Sequence, residues 1–181
     1  MGITITEGLA EIKTINKRLE SKRQFVNSYL ARQDGVRDPL EKDGGSAKVI
    51  GQERQAIHDL ETRVITLRRG IQKANDETTV TINGTSRTIS EWLTWRRDVA
   101  PGERLFLNGI RASLNNIRQQ AKQQGAAVVS AIATTADTKP TDIVVNVDEL
   151  GIGKEIEELE DILGQLDGQL SLKNATVTIE E

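Results

Sequence analysis

The sequence predicts a mainly α fold, an elongated antiparallel bundle of four long helices with a small β-hairpin or sheet element at one end. Three observations carry the prediction. Two apolar stripes step through Ile50, Ile57, Leu60, Val64, Leu67, Ile71 and Ala74, then through Ile152, Ile156, Leu159, Leu163, Leu166 and Leu170. Steps of three, four and seven hold one narrow helix face against a partner helix. Aromatic residues make up only 3% of the chain, so the core is aliphatic. One short stretch around Asn83-Gly84 changes to the alternating period of strands. A helix of about 28 residues spans roughly 42 Å at 1.5 Å per residue, hence the elongated expectation.

The first helix is expected over 6–32, capped by Thr6, with Leu9, Ile12, Ile15, Leu19, Val26 and Leu30 as its apolar positions. Asp34-Gly35, Asp38-Pro39 and Asp43-Gly44-Gly45 mark a loop. Ser46 opens a second helix to about residue 75, completing a helical hairpin. A β-hairpin follows over 77–89. Its Val80 and Ile82 alternate with threonines, and Asn-Gly suits a type I′ turn, which needs positive φ at both central residues.

Ser90 is expected to cap a third helix over 90–125, with Trp92, Trp95 and Val99 on one face and Phe106, Ile110, Leu114, Ile117 and Ala121 continuing the stripe. Pro101 predicts a kink or break, because proline lacks the amide donor and crowds the preceding turn. Gly125 suits the helix end. Residues 126–147 form a β-prone insertion rich in β-branched residues, read as two strands. Asp148 caps a last helix over 148–173. A terminal strand over 176–180 is expected to pair with the 78–89 hairpin or with a neighbouring subunit.

The 181 residues suit one domain, 1–181. The net charge of −3 gives no whole-chain drive toward nucleic acid or an anionic membrane. Absent cysteine excludes disulfides and thiolate metal sites. No window approaches the ~18 continuous apolar residues of a membrane span, and Met1 to Thr6 lacks the basic-then-apolar pattern of a secretory signal. The expected location is the cytoplasm, or a virion assembled in the bacterial cytoplasm. Charge is nonetheless uneven. Between Glu149 and Leu170, seven acidic residues stand against Lys154, while the span from Arg87 to Lys122 is net basic. The two helices are therefore expected to pack side by side with their charges flanking the seam. Each exposed pair is worth only a few tenths of a kcal/mol.

No constellation points to catalysis. His58 has no partner at helical spacing that makes a ligand set, and reads as a surface histidine. Glu157, Glu158, Glu160 and Asp161 lack the Glu-x-x-His repeat of di-iron bundles and read as a solvated face. Gly151-Ile152-Gly153-Lys154 lacks the spacer and hydroxyl residue of a phosphate loop. Arg63, Arg68, Arg69, Arg96 and Arg97 read first as intramolecular partners of acidic residues, with a nucleic-acid-binding scaffold that uses them for phosphate contact as the alternative. No cofactor and no metal is expected. The candidate interface residues are Val128, Val129, Ile132, Val144, Val177 and Ile179, from strands able to extend a neighbour's sheet. Trp92 and Trp95 join them; packing beneath the hairpin is their competing role, and tryptophan is enriched at interface hot spots.

The stretch Ile71-Gln72-Lys73-Ala74-Asn75, Thr79-Val80, Thr88-Ile89-Ser90-Glu91-Trp92-Leu93 and Arg96-Arg97-Asp98 resembles the septicolysin-like family of small helical bacterial proteins. There a helix ends in Ile-x-x-x-Asn, a short hairpin follows, and the next helix carries Arg-Arg-Asp. Leu166-Asp167-Gly168-Gln169-Leu170 with Asn174-Ala175-Thr176 is similar to that family's close. The similarity covers about two thirds of the chain; residues 126–141 and Pro101 depart from it. It implies a helical bundle with a small sheet and transfers no catalytic residue. The family's name implies membrane activity. The residues themselves favour a non-enzymatic, homo-oligomeric structural or assembly protein, such as a component of a bacteriophage head, neck or tail, with other structural proteins as further partners. Narrow seams and the β-prone insertion are the expected drives to self-association.

Overall fold

In the computed structural model, which describes residues 2–132, 139 and 141–180, the chain is mainly α with small strand pairs. It divides into two compact units, one formed by residues up to Thr79 together with the stretch from Leu170, the other by Val80–Gln169.

The first unit is built on a helical hairpin, α1 (Ile5–Ser28) and α2 (Ser46–Glu77). Ile5, Ile12, Ile15 and Leu19 of α1 bury against Leu67, Ile71 and Ala74 of α2, with Ile57, Leu60 and Val64 at the margin. The α2 stripe is thus consumed inside the chain. Thr4, not Thr6, caps α1. The Glu7 amide donates to Thr4 Oγ1 at 3.2 Å, and the Thr4 amide donates to Glu7 Oε2 at 2.7 Å. This reciprocal capping box needs a Glu or Gln three residues on, which Thr6 lacks. The helix ends at Ser28, short of the expected residue 32, with Tyr29 as its C-cap and Leu30 exposed beyond it.

Before α2 the loop makes a single 3₁₀ turn, Glu41–Asp43. Ser46 does open α2, but its N-cap is Gly45, which has no side chain to cap with. Asp38 supplies the missing acceptor from eight residues upstream. It accepts from the Ser46 amide at 2.8 Å, the Ser46 hydroxyl at 2.5 Å and the Leu40 amide at 2.9 Å.

The terminal strand is not free. Strand β1 (Ile3–Thr4) pairs antiparallel with the chain's last strand, Thr178–Ile179, in register Ile3↔Ile179 and Thr4↔Thr178. The expected pairing with the 78–89 hairpin or a neighbour is therefore corrected. Ile179 is apolar enough to enter this unit's own core, and glycines open its path. A Cβ on Gly8 would lie 3.0 Å from Ile179 Cδ1, and one on Gly70 only 2.9 Å from the Glu180 carbonyl oxygen.

The second unit opens at Val80, within β2 (Thr79–Ile82), and continues through β3 (Thr85–Thr88). Asn83 and Gly84 both take positive φ, 45° and 77°, as a type I′ turn demands. Val80 and Ile82 point inward. Thr88, not Ser90, then caps α3 (Ile89–Thr94), again through a box with the glutamate three residues on, Glu91.

A π-helical turn, Trp95–Val99, joins α3 to α4 (Ala100–Gln124) without interruption. No break occurs at Pro101. The Ala100 amide reaches back five residues to the Trp95 carbonyl, and this wider turn relieves the crowding that proline imposes on a regular helix. The turn also admits one extra residue, and the buried stripe shifts with it. Trp92 is followed by Ala100, Leu107, Leu114 and Ala121 as the buried positions, a step of eight and then strict sevens. Val99 and Phe106, expected on the buried face, are exposed for this reason. Gly125 ends the helix in the left-handed conformation, φ 66°.

Two further strands form as expected, β4 (Val128–Ser130) and β5 (Ile143–Val145), paired in parallel with Val128↔Ile143, Val129↔Val144 and Ser130↔Val145. Asp148 stands at the head of α5 (Glu149–Thr176), accepting from the Leu150 amide at 3.1 Å through Oδ1. The α5 stripe packs within the chain too. Ile152, Ile156, Leu159 and Leu163 meet Ala100, Leu107 and Trp95. Arg96 pairs with Asp167 at 2.7 Å, Arg104 with Glu160 at 2.9 Å, and Arg118 with Glu149. The partners run in opposite directions along the two helices, so α4 and α5 are antiparallel and their opposite charges flank the seam as expected. The last strand, Thr178–Ile179, is β6. Both seams pack against helices of the same chain.

Candidate functional site

Among the described residues, the outer edge of β5 has no partner strand. The Ile143 amide donates to the Ala127 carbonyl and the Ala131 amide to the Val145 carbonyl, both at 2.8 Å. In a parallel ladder alternate residues turn their backbone groups to opposite sides. Ile143 and Val145 therefore face β4, and Val144 between them turns its N–H and C=O to the outer edge of β5. Parallel strands ordinarily sit inside larger covered sheets; here the sheet has two strands among the described residues. An open edge is a template for another strand.

Beside that edge runs a groove of about 550 Å³ between β5 and α4. Five consecutive residues, 143–147, form one wall, and α4 forms the other through Leu105, Phe106, Ile110 and Ile117, with Gly109 and Ser113 as small residues between them. Leu105 is 76% exposed, Phe106 67% and Val144 47%. The chain has two phenylalanines and leaves one of them in water beside a strand edge. Isolated exposed apolar residues are unremarkable, but a contiguous set with a groove marks an interaction surface.

The anticipated interface residues divide. Val128 and Val129 are half-buried on β4, Ile132 is exposed just beyond it, and Val144 is exposed at the open edge. Ile179 is buried in the first unit's core, and Val177 is half-buried against it; the Val177 carbonyl accepts from the Ile5 amide at 3.1 Å. Trp92 is 2% exposed, and its indole nitrogen donates to the Val80 carbonyl at 3.0 Å. It is the support of the hairpin, as the competing reading had it. Trp95 meets its edge at 5.5 Å between ring centres, and the Arg87 guanidinium lies 4.8 Å from the Trp92 ring centre. Leu105, Phe106 and Gly109 were missed, because a regular helical period puts Phe106 on the buried side.

His58 is exposed on α2. Arg63 meets Glu11 at 2.8 Å, Arg96 meets Asp167 on the acidic helix, and Arg97 meets its neighbour Asp98 at 2.7 Å. Asp161 accepts from Gln165 at 2.7 Å and from Asn83 at 3.3 Å. Gly151 and Gly153 lie in the first turn and a half of α5. Among the described residues no group of three or more His, Cys, Asp or Glu is placed to hold a metal ion, and no helix is long and apolar enough to cross a membrane.

No family model and no curated protein matches the chain. A solved structure does: a functionally unknown conserved protein from Corynebacterium diphtheriae, 17% identical, with a TM-score of 0.52 over 99% of this chain and 100% of that one. At this identity the likeness concerns the fold alone.

Proposed function

We propose that the chain is a non-enzymatic subunit that assembles with copies of itself and with other structural proteins, as a component of a bacteriophage virion or a comparable particle. The observation that supports this reading is the apolar surface of the second unit, where Leu105, Phe106 and Val144 stand in water around an open strand edge. Burying such surface is worth about 25 cal/mol per Å², and exposed aromatics such as Phe106 are enriched at interfaces. The context of a particle follows from the chain's character, a cysteine-free sequence spent on helix packing. Kinship with the septicolysin-like family belongs to the same proposal at the level of fold. Its membrane-active implication would draw on the same exposed Leu105 and Phe106, and predicts dye leakage from liposomes.

Light scattering coupled to size exclusion, at low and high salt, tests the reading. A closed oligomer that persists at high salt is expected, because apolar contacts are not screened as ion pairs are. A monomer at both salts and at the highest soluble concentration removes self-assembly.

A further inference from the structure

We propose that two copies of the chain join through the outer edges of their β5 strands, antiparallel about a two-fold axis at Val144, forming a four-stranded sheet β4-β5-β5-β4. The inference rests on the self-assembly reading above and names its contact.

The backbone gives the first argument. Val144 turns both its N–H and its C=O to the open edge, as the ladder bonds of Ile143 and Val145 to Ala127 and Ala131 require. A residue offering both groups on one side can exchange two hydrogen bonds with its own symmetry copy. A two-fold interface is self-complementary in this sense, each residue meeting the partner position that meets it in return.

The side chains give the second. In an extended strand residues 142, 144 and 146 share one face. A two-fold at Val144 sets Val144 against Val144 and Asp142 against Asn146, in both halves. The first pair is apolar and β-branched, a favourable cross-strand pair; in the second, which flanks the strand, Asp142 Oδ2 already accepts from the Lys139 amide at 2.8 Å and its Oδ1 is left to face an amide donor. No like charges meet. The strand itself is Ile143-Val144-Val145, so the segment that the edge and groove of one copy accept is the segment that the other copy presents. The groove supplies the cover. Leu105 and Phe106 stand along it, and an added Cβ at Gly109 would meet nothing within 4 Å, leaving room beside the edge.

The full chain is tested by light scattering with three variants. Val144→Pro removes the outward N–H and leaves the bonds between β4 and β5 intact. Asn146→Asp sets like charges opposite Asp142. Val144→Cys places the chain's sole thiols on the axis, where a hydrogen-bonded antiparallel pair holds Cα atoms ~5.5 Å apart, within disulfide reach. The expected result is loss of the dimer in V144P, with helical circular dichroism unchanged. N146D weakens the dimer at least severalfold, and D142N added to N146D restores it. V144C forms a covalent dimer under mild oxidation. An oligomer that survives V144P and N146D, with V144C remaining uncrosslinked, overturns the strand pairing and leaves self-assembly to another surface. A monomeric wild-type chain overturns both.

Discussion

At the scale of single residues, the environment decides the sign of a substitution. Glycine in a helix ordinarily costs about 1 kcal/mol relative to alanine. Gly164, exposed in α5 with nothing within 4 Å of an added Cβ, is the ordinary case. Gly164→Ala is expected to stabilise by about 0.5–1 kcal/mol in chemical denaturation. Gly70 is the opposite case, because its Cβ would meet the Glu180 carbonyl oxygen at 2.9 Å and Ile179 Cβ at 3.4 Å. Gly70→Ala is expected to destabilise by about 1–3 kcal/mol as β6 is pushed away. Stabilisation by both substitutions would contradict the close approach of β6 to α2.

Asp38 is the second residue-scale case. Its bonds from the Ser46 hydroxyl and amide, helped by the Leu40 amide and nearby Arg32, lower its pKa to about 2 from an ordinary 3.8. A carboxyl with a lowered folded-state pKa stabilises the fold above its unfolded value and loses that contribution as pH falls. The window here runs from about pH 4 down to about 2. Asp38→Asn is expected to be less stable than wild type at neutral pH, with the gap closing across that window in thermal melts. A gap independent of pH would mean that Asp38 acts by shape alone. The sequence showed Asp38-Pro39 as a turn; that its carboxylate reaches the head of α2 depends on loop closure, which spacing does not encode.

At the scale of elements, helices and hairpin were legible because each carries its own period. Their starts were misread where a local motif outranked a plausible single residue. Thr4-x-x-Glu7 and Thr88-x-x-Glu91 were both visible as capping boxes and outrank Thr6 and Ser90. The register of α4 was legible in part: Leu114 and Ala121 are buried as expected, whereas Val99 and Phe106 are exposed. A fixed 3.6-residue period passes through residues 95–99 unchanged, whereas the π turn delays the stripe by one residue. The consequence is testable on adjacent positions. Leu107→Ala is expected to cost about 2–5 kcal/mol as a core truncation, and Phe106→Ala under about 1 kcal/mol, as an exposed site. Equal costs by urea denaturation would place both on the buried face and remove the shift.

At the scale of the whole molecule, the sequence revealed that the chain invests in packing and did not reveal where the packing stops. Both heptad stripes looked like invitations to a partner. They close on helices of the same chain, α2 on α1 and α5 on α4. The complementary charges of Arg96, Arg104 and Arg118 with Asp167, Glu160 and Glu149 foretold the second of these pairings. The pairing of β1 with β6 joins two-residue strands from opposite ends of the sequence, and such short segments carry no pattern that names their partner. The open edge of β5 was equally hidden. β-branched composition marked 126–147 as strand-prone, but the pairing register that turns Val144 outward follows from tertiary structure.

The π turn also has a consequence for descent. An α-helix has no slack: a residue added within it rotates everything downstream by about 100°. At Trp95–Val99 the surplus is looped into one wide turn, and Ala100 and Leu107 keep their partners on α5. These five positions are therefore where a homologous gene can differ in length by one codon without remodelling either neighbour of the turn. A relative lacking the surplus residue is expected, when aligned without a gap there, to show the core positions of α4 displaced by one.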